Sequence, residues 1–336
     1  MQKQTFIIAE LAQAHEGSLG IAHSYIDALA ETGVDAVKFQ THVAEAESSS
    51  EEQFRIKFSY EDATRFDYWK RMEFSAEQWA GLKQHAEDKG LEFISSPFSV
   101  AAVELLEKLN VKRYKIGSGE LNNYLMLDKI ARTGKPIILS SGMSDWNELD
   151  DTIHFLKPFG NALSLLQCTT AYPTQPAHWG LHVMQEMKKR YNLPVGFSDH
   201  SADIFAGLAA ASLGAELLEF HVVFDHRMFG PDAKASLTIQ QTQNLVSGVR
   251  QIDESLNAYN TLKTDASGFA ELKNMFGKSL SVNKDLPAGH TISIEDLESK
   301  KPGNMGIPAK YFQKVIGKQL KSPLVKWHFL REEDLF

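Results

Sequence analysis

One unit recurs along most of this chain: a short apolar, β-rich run, a polar or glycine-containing link, then an amphipathic segment of helical period. The strand-like runs are Thr5–Leu11, Ala36–His42, Glu92–Phe98, Tyr114–Glu120, Pro136–Gly142, Leu163–Thr170, Val195–His200 and Glu216–Val222. The helical runs between them stop where a left-handed residue would cap them, at Gly33, Gly90, Asn110, Gly134, Gly160, Asn192 and Gly214, and an eighth, roughly Ile239 to Leu256, completes the set. Eight such units over about 250 residues predict an α/β fold of the closed (β/α)8 TIM-barrel type. An open doubly wound sheet usually has fewer strands and a G-x-G-x-x-G turn after its first strand, and no such turn occurs here.

At 336 residues the chain is longer than one core of about 250–300 residues comfortably holds. The repeat covers residues 1–260, a linker is expected over 261–275 with a polar stretch from Thr261 to Ser267, and residues 276–336 change to short strands and turns. That tail is expected to be a small β-rich module leaning on the barrel or on another subunit. A net charge of −8 argues against nucleic-acid or anionic-membrane partners, so a phosphorylated substrate would have to be held by local lysines. The single cysteine, Cys168, excludes intramolecular disulfides and cysteine-built zinc or redox sites. With no run approaching the ~18 apolar residues of a membrane span, and no signal-like start, a cytoplasmic location is expected.

Barrel enzymes collect their chemistry where the strands end. His200 and His221 end neighbouring strands whose axes lie about 5 Å apart, so two neutral imidazoles could share one open-site cation such as Mn²⁺ or Mg²⁺; the alternative is two hydrogen-bonded core histidines. Lys38 and Lys115 interrupt apolar strands, where a lysine needs an anionic partner. A phosphate and a carboxylate would satisfy them, with Ser96, Ser118, Ser140 and Ser198 completing the cradle; internal pairing with Glu120 or Glu219, or a Schiff-base role, stays open. The mouth is therefore expected to be electropositive. Glu16 is a candidate general base or sugar clamp, Cys168 reads as packing, and Gly230-Pro231-Asp232 either aims Asp232 at the mouth or forms a turn. The run Val43–Met72 is charged, aromatic and aperiodic, and is expected to be a loop covering the substrate.

The motifs HEGSL (His15–Leu19), VKFQTH (Val37–His42), FISSPFS (Phe93–Ser99), YKIGSGELNNY (Tyr114–Tyr124), PIILSSGMS (Pro136–Ser144), CTTAYPT (Cys168–Thr174), FSDHS (Phe197–Ser201), LEFH (Leu218–His221) and GPD (Gly230–Asp232) resemble the sialic acid synthase family. The tail, with SVNKDLPAGHTISIEDL followed by KKPGNMGIP, resembles that family's antifreeze-like (SAF) domain. The resemblance implies condensation of phosphoenolpyruvate with an N-acyl aminohexose, releasing phosphate; N-acetylmannosamine is the expected acceptor, and the diacetamido-trideoxyhexose precursors of legionaminic or pseudaminic acid are the alternatives. It implies that His200 and His221 hold a divalent metal and that Lys38, Ser96, Lys115, Ser118 and Ser198 hold phosphoenolpyruvate. Glu16 would serve proton transfer, while Glu120, Tyr172, Glu219 and Asp232 orient sugar and water. It further implies a domain-swapped homodimer.

Three positions depart from the family's pattern. Thr170 stands for an asparagine near phosphoenolpyruvate, and Lys301 for an arginine that reaches the N-acyl group from the partner's tail. Trp327 stands for a glycine of the last turn, which predicts a different turn because tryptophan does not readily take a positive φ. Two rivals are a Schiff-base aldolase on the same barrel and a carbohydrate- or ice-binding protein acting through the tail.

Overall fold

The computed structural model describes residues 4–54, 56, 58–258 and 263–336. All eight expected strands form: β1 (Phe6–Ala12), β2 (Ala36–Thr41), β3 (Glu92–Pro97), β4 (Tyr114–Ile116), β5 (Ile137–Ser140), β6 (Leu163–Cys168), β7 (Val195–Asp199) and β8 (Leu217–Val223). They pair in parallel in the order β3-β2-β1-β8-β7-β6-β5-β4, a nearly closed barrel whose seam lies between β3 and β4. Every one of the seven expected helix stops has a positive φ, from Asn192 at 52° to Gly33 at 82°. The chain therefore reverses where the sequence pattern says it must.

Period-two alternation sorts each strand into an outward row facing the helices and an inward row. Outward lie Ile7, Ala9, Val37, Phe39, Leu218 and Phe220, all in the main hydrophobic core. Inward, Ile8, Ala36, Ile94, Ile138, Leu166 and Leu217 form a separate apolar cluster that plugs the barrel. Two residues further along the same strands stand Glu10, Lys38, Ser96, Ser140, Cys168 and Glu219. One pleat step, about 6–7 Å at the usual strand rise, thus separates a dry floor from a polar layer.

Two expectations about the first unit need correction. Strand β4 ends at Ile116 and not at Glu120, because Ser118–Glu120 turn into a 3-10 helix in which the Glu120 N–H donates to the Gly117 carbonyl at 3.0 Å. The run Val43–Met72 is not wholly aperiodic, although its Arg55 and Lys57 lie outside the described residues. After α1 (Leu19–Ala30), it contains α2 (Ala44–Glu47) and α3 (Arg65–Met72), the latter opened by a Thr64 capping box. Ala44, Tyr68, Trp69 and Met72 form its own small core, with Phe54, Phe58 and Phe66 against them.

Contacts divide the chain after Ala258. The expected boundary at 260 and the start of the linker, Thr261 with Leu262, lie outside the described residues. The rest of that expected linker is not plain coil, since a helix spans Ala270–Phe276. In the second unit an antiparallel pair, Ser279–Val282 with Leu297–Lys300, sits on a core of Leu280, Val282, Leu286, Ile292, Ile307, Leu320 and Leu330. Trp327 overturns the expectation of a different turn: its φ is +74°. The cost of that geometry, about 1–2 kcal/mol, is offset by the Trp327 N–H donating to the Val282 carbonyl at 2.7 Å and by Lys300 and Lys326, whose ammonium groups lie 4.9 and 5.0 Å from the indole centroid.

The inward plug yields a stability prediction. Leu166→Ala should lower unfolding free energy by about 2–5 kcal/mol, read from the urea midpoint; an unchanged midpoint would show that the apolar layer does not hold the barrel shut.

Candidate active site

Above the plug the strand ends enclose a cavity of about 480 Å³, within the usual 300–1,000 Å³ of small-molecule sites. Of the residues singled out from the sequence, Lys38, Ser96, Lys115, Ser118, Ser140, Thr170, Tyr172, Ser198, His200, Glu219, His221 and Asp232 line it. Glu16 and Glu120 are not among its lining residues, and Lys301 belongs to the second unit. The alternative of internal ion pairing is the arrangement observed. Lys38 Nζ lies 2.5 Å from Glu10 Oε1 and 3.8 Å from Glu219 Oε2, and Lys115 Nζ lies 2.8 Å from Glu219 Oε1. Glu120 takes no part; its carboxylate accepts from Asn123 Nδ2 at 2.8 Å.

These four side chains are 1–6% exposed, so each charge depends on its neighbours. Burial opposes charge throughout the layer. Around Glu10 the ammoniums of Lys38 and Lys115, with His221, outweigh it and hold the carboxyl well below the usual carboxylate range. Burial is likewise outweighed at Lys115 by Glu219, which raises it, whereas at Lys38 burial prevails and lowers it. Hydroxyls and amides tie the layer together: Lys38 donates to Ser96 Oγ at 3.3 Å, Ser198 Oγ to Glu219 Oε1 at 3.1 Å, and Gln40 Nε2 to Glu10 Oε1 at 2.7 Å. Ser140 Oγ and Glu219 Oε2 are buried without a hydrogen-bond partner among the described residues. They are groups into which a ligand can bond.

The cavity is not electropositive, contrary to expectation. Its described lining sets Lys38, Arg65 and Lys115 against Glu10, Glu52, Glu219 and Asp232. An anion entering here meets lysines already matched by carboxylates.

Strands β7 and β8 bring His200 and His221 together with ring centroids 5.2 Å apart and planes inclined at 45°. Tyr172 packs on the pair, 4.2 Å from the His200 ring and 6.0 Å from that of His221. His200 Nδ1 lies 3.0 Å from the Thr169 carbonyl, which leaves Nε2 as its donor atom, and His221 Nε2 lies 3.5 Å from Glu10 Oε2. Burial lowers the His221 pKa and favours the neutral, lone-pair-bearing ring. Burial works against charge at His200 too, but Cys168, whose Sγ is 3.8 Å from Nδ1, and the Thr169 carbonyl outweigh it and raise that imidazole to about 9. Cys168 is thus a wall of the cavity as well as packing. Among the described residues no three His, Cys, Asp or Glu side chains group as a metal site. The two imidazoles fit an open cation site once His200 gives up its proton, the remaining positions going to water or substrate oxygens.

Gly142 shows how tight the serine side is. A Cβ there would stand 2.5 Å from Thr170 Oγ1, 2.7 Å from Ser118 Oγ and 2.9 Å from Cys168 Sγ. Its bare N–H instead donates to Ser118 Oγ at 3.0 Å.

Glu16 sits in a left-handed conformation, φ 49°, and its Oε2 accepts from Arg71 Nη1 at 3.0 Å. Arg71 in turn grips Asp62, with Nη2 2.8 Å from Oδ2. Glu16 Oε1 is buried without a hydrogen-bond partner among the described residues. Burial outweighs Arg71 and pushes the Glu16 carboxyl up to about 7.

The sequence alone did not single out Glu10, Gln40, Arg65 or Arg71. Glu10 carried the same signal as Lys38, a charge inside an apolar strand. Arg71 carried none, because its partner Glu16 is 55 residues away.

The NeuB family model matches residues 25–261 and the SAF domain model residues 277–335. The N,N'-diacetyllegionaminic acid synthase of Campylobacter jejuni is 35% identical over 94% of this chain and 96% of its own length. A pseudaminic acid synthase of the same species is 32% identical over 99% and 97%. Among solved structures, an N-acetylneuraminic acid (sialic acid) synthetase from Leptospira borgpetersenii serovar Hardjo-bovis in complex with citrate superposes with a TM-score of 0.71 at 29% identity, covering 81% of this chain and 91% of that one.

Glu16 carries a pH prediction with a definite sign. Because its folded pKa is raised, the stability it contributes is complete below its ordinary value of 4.5 and is lost as pH rises through about 7. Glu16→Gln should therefore gain in melting temperature relative to the parent between pH 5 and pH 8. Parallel curves would contradict the burial seen here.

Proposed function

As the chain belongs to the NeuB family of nonulosonic acid synthases, we propose that it condenses phosphoenolpyruvate with the open-chain aldehyde of an N-acyl aminohexose, releasing phosphate. The observation that carries this is the polar layer itself: two buried lysines, a ring of hydroxyls with Ser140 Oγ unpartnered, and two imidazoles facing the same cavity.

Lys38 and Lys115 hold the phosphate and carboxylate of phosphoenolpyruvate, exchanging part of their pairing with Glu10 and Glu219 for it, while Ser96, Ser118, Ser140 and Ser198 supply neutral hydrogen bonds. Thr170 lies beside that cradle, near Ser118. His200 and His221 would hold Mn²⁺ or Mg²⁺, which supplies Lewis-acid polarisation of the aldehyde oxygen. The enol carbon attacks the aldehyde carbon, the aldehyde oxygen gains a proton, water adds at the cationic C2, and the C–O bond to phosphate breaks. Glu219 is a carboxylate already in the cavity whose Oε2, 3.8 Å from Lys38 Nζ, has no hydrogen-bond partner among the described residues, so proton transfer falls to it. Glu16, locked to Arg71 off the lining, acts there only if its side chain turns inward; Glu120 is placed to orient its neighbours, and Tyr172 and Asp232 face the sugar.

N-acetylmannosamine, giving N-acetylneuraminate, is the first acceptor. The cavity's apolar residues, Ile56, Phe58, Trp69, Phe98 and Met143, favour a second: a diacetamido-trideoxyhexose, whose methyl groups find contact there. Lys301 of the tail is assigned to the N-acyl group of a sugar held by a partner's barrel in a domain-swapped homodimer. Deleting 276–336 should raise the sugar KM, and unchanged kinetics would remove that assignment.

Purified protein given Mn²⁺, phosphoenolpyruvate and a panel of aminohexoses should release phosphate, stop on chelation, and yield an acid whose mass is the sum of the sugar and pyruvic acid. Lys115→Ala should raise the KM for phosphoenolpyruvate about 10- to 100-fold, as expected for losing a charged hydrogen bond. Borohydride trapping of pyruvate on Lys115 would instead establish the Schiff-base aldolase.

A further inference from the structure

The β2 insertion brings a cation to the cavity that the chemistry above does not use. Arg65, the first residue of α3, lines the cavity. Its guanidinium carbon lies 4.1 Å from the Trp69 centroid and 5.2 Å from that of Tyr68, and its Nε is 3.4 Å from Glu52 Oε1. Among the described residues its two terminal nitrogens make no hydrogen bond. A guanidinium has five N–H donors in one plane, so Arg65 keeps an edge available.

The shelf beneath it is held by its own contacts. Trp69 Nε1 donates to Glu52 at 3.0 Å, and the indole stacks at 3.9 Å on His42, which stacks at 4.6 Å on Phe98. Depth separates Arg65 from the reacting centre: its side chain is 17% exposed, against 1% for Lys38 and 6% for Lys115. A ligand group meeting Arg65 is therefore nearer the mouth than the atoms held by the floor.

Charge decides what that group is. Glu52 already faces Arg65 and Trp69, so a phosphate dianion would meet a nearby carboxylate, whereas a neutral carbonyl oxygen would not. The ring of Phe58, 5.0 Å from that of Tyr68, suits the methyl of an acyl group.

We propose that Arg65 is a specificity-determining residue, hydrogen-bonding the carbonyl oxygen of an acylamino group on the part of the acceptor sugar remote from its aldehyde. This rests on the second acceptor above, whose C4 acetamido group N-acetylmannosamine lacks. The test is steady-state kinetics with both sugars on the parent enzyme, Arg65→Gln and Arg65→Lys. Both variants should raise KM for the diacetamido-trideoxyhexose about 10- to 100-fold, the effect of losing a charged hydrogen bond, while KM for phosphoenolpyruvate and for N-acetylmannosamine stays within about threefold. Unchanged kinetics, or an equal rise for both sugars, would overturn the assignment. A parent enzyme that uses only N-acetylmannosamine would overturn it and leave the proposed reaction standing; one that uses neither sugar would overturn both.

Discussion

Two lysines and two glutamates, buried together inside a barrel, are the interaction on which the site depends. Four ionisable groups that have left water need one another: Glu10 opposes Lys38, and Glu219 opposes Lys115 and lies within 3.8 Å of Lys38. Packing does not call for such a layer, since apolar residues of similar volume are often as stabilising as a buried ion pair. Its value lies in being divisible. Each lysine can exchange part of its interaction with a carboxylate for an anionic ligand without crossing a low-dielectric interior unpaired.

The layer exists because of strand register. Ile8 is followed two residues later by Glu10, Ala36 by Lys38, Ile94 by Ser96, Ile138 by Ser140 and Leu217 by Glu219, so one turn of the pleat lifts every strand from plug to chemistry. A further step of two places His200 above Ser198 and His221 above Glu219. The same alternation that gives the barrel a dry base gives the cavity its floor and the imidazole pair its height. The β2 insertion then closes one side with aromatic rings and Arg65, using a small core of its own.

Most of this was legible in the chain itself. Eight β-rich runs and seven left-handed stops identify the barrel; Lys38 and Lys115 betray themselves by interrupting apolar strands, and His200 and His221 by ending neighbouring ones. What escaped was pairing. Whether Lys115 meets Glu120 or Glu219 depends on where β4 ends, and it ends at Ile116; the turn that follows leaves Glu120 bonded to Asn123. Arg71 and Glu16 meet through a loop whose path no local pattern sets. Trp327 shows the opposite failure: a sound local rule, that a bulky residue avoids positive φ, yields to a backbone hydrogen bond and two flanking lysines.

The buried charges of the layer are mutually dependent. A double-mutant cycle in urea on Glu10→Leu and Lys38→Met measures that directly. Each single variant should lose about 3–5 kcal/mol by stranding a charge, and the double variant, which strands none, should lose clearly less than the sum and less than either single change. Additive losses would contradict it, because Glu10 and Lys38 would then be independent of each other.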